Sequence, residues 1–199
     1  MNEFEMTDLG MMHYFLGISV AQSSDGIFIS QNKYVEDILD RFQMKDCNPM
    51  HTPVECGLKL HKDHGGKKVD NTIYKQIVGS LMYLTATRPD IMYSVSLISM
   101  YMENPTEMHL LAAKRILRYL QGTRNFGIFY KKGVKSNLMG LTDSDYAGDQ
   151  DDRKSILGYV FMIGTSAVSW ASKKQPIVTC QTQKLNLFLL QLVHAKPFG

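Results

Sequence analysis

The spacing of hydrophobic residues changes once along this chain, and the change restricts the folds that it can adopt. In several segments between about residue 32 and residue 122, hydrophobic side chains recur every three or four positions, as they do on one face of a helix. After Thr123, short β-branched and aromatic runs alternate with turn residues, which is typical of strands. The sequence therefore predicts an α+β fold with a helix-rich first part and a strand-rich second part.

The first part is predicted to open with a β-hairpin and to continue with four helices. The hairpin pairs residues 13–20 with residues 26–30, and Ser30 is expected to cap the first helix. The other helices are predicted over residues 71–85, from Pro89 onward, and from Pro105 onward with Asn104 as the cap, and residues 46–68 are predicted to form a loop.

The second part is predicted to be a β-meander, and its charge differs from that of the residues before it. Seven basic residues and a single acidic one lie between residues 106 and 135, whereas five aspartates lie between residues 143 and 152. This change of sign places a domain boundary near residues 131–137. The strands are predicted at residues 126–130, 138–143, 158–163 and 167–170.

Cysteine count, charge and the first residues exclude several classes of protein. Three cysteines in 199 residues argue against a disulfide-stapled secreted scaffold and favour a reducing compartment. The formal net charge of +3 is too small for a polycation, so any contact with nucleic acid must come from local patches. The N-terminal stretch lacks the basic start and apolar run of a signal peptide. We therefore predict an intracellular protein with no membrane partner.

Two aspartates at the end of a predicted strand are the first candidate site. Alternation along the strand places Asp143 and Asp145 on the same side, where the pair could hold a hard divalent cation such as Mg²⁺. Two-metal nucleases need further carboxylates from other elements, which one strand cannot supply. The alternative is a solvated turn, and the spacing alone favours that alternative.

A row of three residues on the second predicted helix is the other candidate site. Lys75, Gly79 and Tyr83 follow one another at intervals of four on the outer face. A cation, a flat spot and an aromatic ring in a row would suit contact with a nucleic-acid backbone, which is largely independent of sequence. A helix–helix crossing at Gly79 explains the glycine equally well.

One loop contains several residues of the types that bind zinc. Their spacing, C-x3-H-x4-C-x4-H-x2-H from Cys47 to His64, fits no compact zinc knuckle, and we interpret the segment as a surface loop.

Many separate motifs of this sequence resemble one family, the Pol polyproteins of copia-type LTR retrotransposons, and most closely those of plants. They occur in the family's order between residue 3 and about residue 179. The motifs are EFEMTDLG, HYFLGI, GIFISQNKY, YKQIVGSLMYLTATRPDI, PTEMHLLAAKRILRYLQGT, LTDSDYAG, DDRKS, GYVF and AVSWASKKQP.

The resemblance implies the end of a reverse transcriptase followed by the start of its ribonuclease H domain. Residues 15–18 resemble the primer-grip hairpin, and residues 74–83 resemble the thumb helix that follows the minor groove of a template–primer duplex. Asp143 matches the first metal-binding aspartate of ribonuclease H, with Asp145 a weaker ligand, and Arg153 is implied to lie near the RNA/DNA hybrid. In the family the cofactor is Mg²⁺ and the partner is an RNA/DNA hybrid or template–primer duplex.

Departures from the family pattern bear on activity. The resemblance implies that the fingers and the palm with the paired polymerase aspartates would precede Met1, and that they are the natural packing partners of this chain. After Thr179 the family's segment with the next carboxylate is expected, whereas the chain reads CQTQKL. We infer a single-nucleotide frameshift close to Cys180 as the hypothesis for this difference. The expected regions are residues 1–130 of reverse transcriptase type, residues 131–179 of ribonuclease H type and an aberrant tail of residues 180–199.

Three functions follow from these observations. The leading hypothesis is a polyprotein fragment that is catalytically inactive and binds little or no metal. The second is a non-catalytic module that binds an RNA/DNA duplex through the predicted thumb-like helices and the basic residues 114–135. The third is a secreted effector, because Arg115-Ile116-Leu117-Arg118 matches an R-x-L-R translocation motif, although the motif lies within a predicted amphipathic helix.

Overall fold

A four-stranded antiparallel sheet begins the structure, a computed structural model that describes residues 10–62, 65–134, 137–144 and 151–176. The strands β1 (Tyr14–Phe15), β2 (Ile18–Gln22), β3 (Gly26–Ser30) and β4 (Gly127–Lys131) are paired in that order. The predicted hairpin forms between β2 and β3, where Ser19 lies opposite Ser30.

The predicted strand over residues 13–20 is wrong, because the chain turns back on itself in its middle. Leu16 and Gly17 both have positive φ, 46° and 76°, and they separate β1 from β2. A side chain at Gly17 would also collide with the hydroxyl of Tyr83, since its Cβ would lie 2.5 Å from that oxygen. The continuous β-rich composition hid this turn, which glycine permits at one of its two positions.

Strand β4 belongs to the first sheet rather than to the meander. It pairs with β3 in antiparallel register, with Gly127 opposite Ser30 and Lys131 opposite Gly26. The contact joins residues about a hundred positions apart, which the local sequence pattern could not predict.

Four helices cover one hydrophobic core. They are α1 (Asn32–Arg41), α2 (Asn71–Leu84), α3 (Met92–Ser99), which a 3₁₀ turn at Pro89–Ile91 precedes, and α4 (Glu107–Gly122). Helix α2 matches the prediction closely, and its inward residues Tyr74, Ile77, Val78 and Leu81 are all buried.

Two predicted helix caps are wrong. Ser30 ends β3, and Gln31 occupies the cap position of α1 without a capping side-chain bond. Helix α4 starts after Thr106 rather than after Asn104, because Thr106 and the buried His109 form a reciprocal capping box. In that box the His109 Nδ1 accepts a hydrogen bond from the backbone N–H of Thr106 at 3.0 Å.

An ion pair between a buried arginine and a partly exposed aspartate joins the 3₁₀ turn to the end of α4. Arg88 is only 1% exposed, and its Nε and Nη2 donate to the carboxylate of Asp90 at 2.9 and 2.7 Å. Its Nη1 donates to the Thr123 backbone oxygen at 3.0 Å, while the Tyr119 hydroxyl donates to Asp90 at 2.9 Å. Burial favours a raised pKa for Asp90, but the hydrogen bonds and charge of Arg88 outweigh it and lower that pKa.

The second sheet is an antiparallel meander of three described strands. These are β5 (Leu138–Ser144), β6 (Ile156–Ile163) and β7 (Ser166–Lys174), with β6 in the centre. Ile156 at the start of β6 is 4% exposed and belongs to the core that the helices form. Within the described ranges, no helix combines the length and the apolar character that crossing a membrane requires.

Candidate nucleic-acid interface

The outer face of α2 displays the three residues that the sequence placed in a row. Lys75 and Gly79 are exposed, and Tyr83 is 43% exposed, because the opposite face of the helix is the one that enters the core. A Cβ added to Gly79 would meet no atom of the described residues within 4 Å. Among the described residues no helix crosses α2 at Gly79, and the helix has a flat, open spot between a cation and an aromatic ring.

Tyr83 also joins α2 to the tip of the β1–β2 hairpin. Its hydroxyl donates a hydrogen bond to the backbone oxygen of Leu16, and its ring meets the edge of Tyr34 with the centroids 4.8 Å apart. Leu16 is 73% exposed and Phe15 is 56% exposed. The structure thus brings together two segments that the resemblance named separately, the hairpin of residues 15–18 and the helix of residues 74–83.

Three of the seven basic residues between 106 and 135 are engaged inside the molecule. Arg115 donates to Thr52 Oγ1 at 3.0 Å, and Arg118 donates to the Asn48 backbone oxygen at 2.7 Å. Arg124 donates to the backbone oxygen of Lys45 at 3.2 Å. These arginines attach the loop after α1 to α4 and its C-terminal end, so their side chains keep their charge but are less free to reach nucleic acid than the composition indicates.

The R-x-L-R motif is part of the same packing. Ile116 and Leu117 are buried in the core, at 1% and 0% exposure, and the two arginines contact the loop. Every residue of the motif therefore has a role in the fold.

Asp143 lies near the end of β5, opposite Gly158 of β6, and its side chain is exposed. It borders a cavity of about 450 Å³ between the second sheet and α3, whose other walls include Tyr93, Tyr159 and Trp170. Asp145 lies outside the described residues. Over those residues, no group of three or more His, Cys, Asp or Glu side chains could hold a metal ion. One exposed carboxylate does not by itself fit Mg²⁺.

Arg153 is exposed in the loop that leads into β6, with φ at 57°. Its neighbours are fixed by carboxylates. Asp151 accepts the backbone N–H of Lys62 at 3.0 and 2.9 Å, and Asp152 forms ion pairs with Lys154 at 3.2 Å and Lys174 at 2.9 Å. The loop therefore holds Arg153 in an uncommon backbone conformation while leaving its guanidinium accessible.

Sequence reasoning missed the residues that hold the interface in place. Gly17 beneath Tyr83 could have been suspected from a glycine inside a predicted strand, which often marks a close backbone approach. Arg88 and Asp90 are separated by only one residue, but the burial of Arg88 results from packing against the end of α4, which has no local signal.

Comparison with known proteins identifies the class to which this chain belongs. A family model described as "Reverse transcriptase (RNA-dependent DNA polymerase)" matches residues 1–56. The retrovirus-related Pol polyprotein from transposon RE1 of Arabidopsis thaliana is 48% identical over 172 residues, which are 86% of this chain and 12% of that protein. The uncharacterized mitochondrial protein AtMg00810 of the same plant is 40% identical over 194 residues, which are 97% of this chain and 80% of that protein.

The chain belongs to the copia-type retrotransposon Pol polyprotein family, as its motifs predicted. It spans only 12% and 11% of the Pol polyproteins from the transposons RE1 and RE2. It is also 41% identical over 109 residues to the secreted RxLR effector protein 161 of Plasmopara viticola, which covers 54% of this chain and 77% of that protein. No solved structure matches the chain.

Proposed function

We propose that this chain is the part of a retrotransposon Pol polyprotein that holds the RNA/DNA template–primer duplex. The hairpin tip and the outer face of α2 form the contact surface, so this region is of the primer-grip and thumb type. The observation that carries the proposal is the open space over Gly79, with Lys75 and Tyr83 on either side.

A glycine in the exposed middle of a helix needs a reason. It destabilises the helix by about 1 kcal/mol relative to alanine, and at Gly79 no neighbouring element takes up the space that it leaves. A phosphate backbone that approaches the helix closely would use that space. Lys75 then neutralises a phosphate, and Tyr83 presents a ring and holds the hairpin tip, none of which depends on base sequence.

We further propose that the β5–β7 meander is the beginning of a ribonuclease H-like domain, with Asp143 as its first carboxylate and Arg153 facing the hybrid. Support comes from the position of Asp143 near the end of a strand and from the exposure of Arg153. A single carboxylate holds Mg²⁺ weakly, so the isolated chain is proposed to bind duplex without cleaving RNA. The fingers and palm of the family are its proposed packing partners.

The test is binding of a fluorescently labelled RNA/DNA hybrid, followed by anisotropy at about 50 and 200 mM salt. Replacing Lys75 by alanine should weaken binding and reduce the slope of log affinity against log salt by about 0.9, the value for one phosphate contact. Lys59→Ala removes the same charge from an exposed lysine in the loop before α2 and serves as the matched control. Equal effects of the two substitutions, or no binding by the unaltered chain at low salt, would refute the proposed interface.

A further inference from the structure

Strand β7 attaches the second sheet to the rest of the molecule through several hydrogen bonds, in addition to Ile156 of β6 in the core and the bond between Asp151 and Lys62. Ser96 of α3 donates to the Ser172 backbone oxygen at 2.9 Å, and Tyr130 of β4 donates to the Ala167 backbone oxygen at 3.0 Å. At the start of the strand, Ser166 donates to the Phe129 backbone oxygen at 2.6 Å. Strand β7 therefore contacts both α3 and the edge strand of the first sheet.

A further contact of β7 reaches the end of α2. The indole Nε1 of Trp170 donates to the backbone oxygen of Thr85 at 2.8 Å. Thr85 is the C-terminal cap of α2, and its own hydroxyl donates to the Met82 backbone oxygen at 2.7 Å. Thr85 lies two residues after Tyr83, whose hydroxyl is bonded to Leu16 at the hairpin tip. The last turn of α2 is thus bound to both the hairpin and the second sheet.

Trp170 also stands between α2 and the Asp143 edge. It lies opposite Val160 on β6, and it lines the same cavity as Asp143. Any rotation of the second sheet against the helices must displace this ring or break its hydrogen bond to Thr85. An indole at this point contributes both packing and a directed N–H, which a smaller apolar residue would not supply.

We infer that Trp170 is a positioning residue, which fixes the Asp143 edge at a set distance from the outer face of α2. The two sheets then move as one body. A bound hybrid would then meet Asp143 at a constant number of base pairs from the hairpin. This consequence rests on the proposed function, whereas the rigid attachment of the second sheet does not.

The test measures that distance directly in the chain without nucleic acid. Spin labels are placed on cysteines introduced at two exposed positions outside the proposed site, Ile73 of α2 and Met139 of β5, after the native cysteines are replaced by serine. Double electron–electron resonance should give one narrow distance distribution. Trp170→Phe keeps a ring and loses the N–H, so we expect the population outside that distance to rise about fivefold, the effect of one net hydrogen bond.

Controls and contrary outcomes separate this inference from the proposed function. Tyr159→Phe removes a polar hydrogen from another ring of the same cavity and should leave the distribution narrow. Trp170→Ala should widen it further, with folding verified by far-UV circular dichroism. A broad distance distribution in the unaltered chain would overturn the inference. So would distributions in Trp170→Phe and Trp170→Ala that are as narrow as the one in the unaltered chain. Narrow distances in a chain that binds no hybrid would overturn only the proposed function.

Discussion

At the scale of single residues, Gly79 stands at a position where glycine lowers the stability of the helix. It lies in the middle of a fourteen-residue helix, and no described atom occupies the space where its side chain would stand. Such a position normally favours alanine or another strong helix former. In the proposed function, this glycine instead permits the close approach of a nucleic-acid backbone.

Gly79→Ala is predicted to stabilise the chain. The free energy of unfolding should rise by about 0.5–1 kcal/mol, because alanine restricts the unfolded backbone and meets no steric clash at this site. Thermal unfolding followed by circular dichroism measures the change. A lower midpoint would show that the open space is filled in solution by part of the chain itself.

The ion pair of the buried Arg88 with the partly exposed Asp90 is predicted to matter more than a fully exposed pair. Asp90→Ala should destabilise the chain by about 2 kcal/mol, because the buried guanidinium of Arg88 loses its charged hydrogen-bond partner and keeps only its bonds to Thr123. The matched control is Asp40→Ala, which breaks an exposed pair with Lys45 and should lower the stability by less than about 1 kcal/mol. Urea denaturation of both variants gives the comparison, and equal losses would contradict the role assigned to Arg88.

At the scale of elements, sequence patterns predicted the interior of each helix better than its ends. The inward residues of α2 followed from their spacing, since a helix must bury one face. The sequence pattern did not predict the start of α4. His109 stands where a capping box usually has Glu or Gln, and the helix is capped by Thr106 rather than by Asn104. The turn at Leu16 and Gly17 was missed for a similar reason, since it depends on Tyr83, distant in sequence.

Removal of the α4 cap provides a test at this scale. Thr106→Ala should destabilise the chain by about 1 kcal/mol, because the backbone N–H of His109 loses its acceptor. Asn104→Ala, at the cap position that the sequence predicted, should have a smaller effect. Thermal unfolding of the two variants compares them, and a larger loss at Asn104 would contradict the observed start of α4.

The loop before β6 predicts a defined response to acid. Slight burial would raise the pKa of Asp152, but its bonds to Lys174 and Lys154 outweigh this and lower the pKa from 3.8 to about 2. A lowered folded-state pKa stabilises the chain above the ordinary value, and that stabilisation is lost as the pH falls from about 4 to about 2. Asp152→Asn should therefore destabilise the chain at about pH 6 and have little effect near pH 2. A difference that is independent of pH would rule out the ion pairs as its cause.

At the scale of the whole molecule, basic side chains differ in whether they bond to other parts of the chain or remain exposed. The arginines that the composition offered for nucleic acid are largely used to attach the loop after α1. Lys75 of α2 remains exposed, on the same outer face of α2 as Tyr83, which contacts the hairpin tip. Motifs in the sequence predicted the family. Which basic residues bond to other parts of the chain, and which stay exposed, depends on long-range contacts that the sequence does not show.

Hybrid binding by Gly79→Leu measures directly whether the outer face of α2 holds the duplex. Leucine favours the helix but covers the flat spot, so the affinity for an RNA/DNA hybrid should fall by about tenfold or more while the unfolding midpoint stays the same or rises. Undiminished binding by a fully folded Gly79→Leu variant would contradict the claim that α2 holds the duplex.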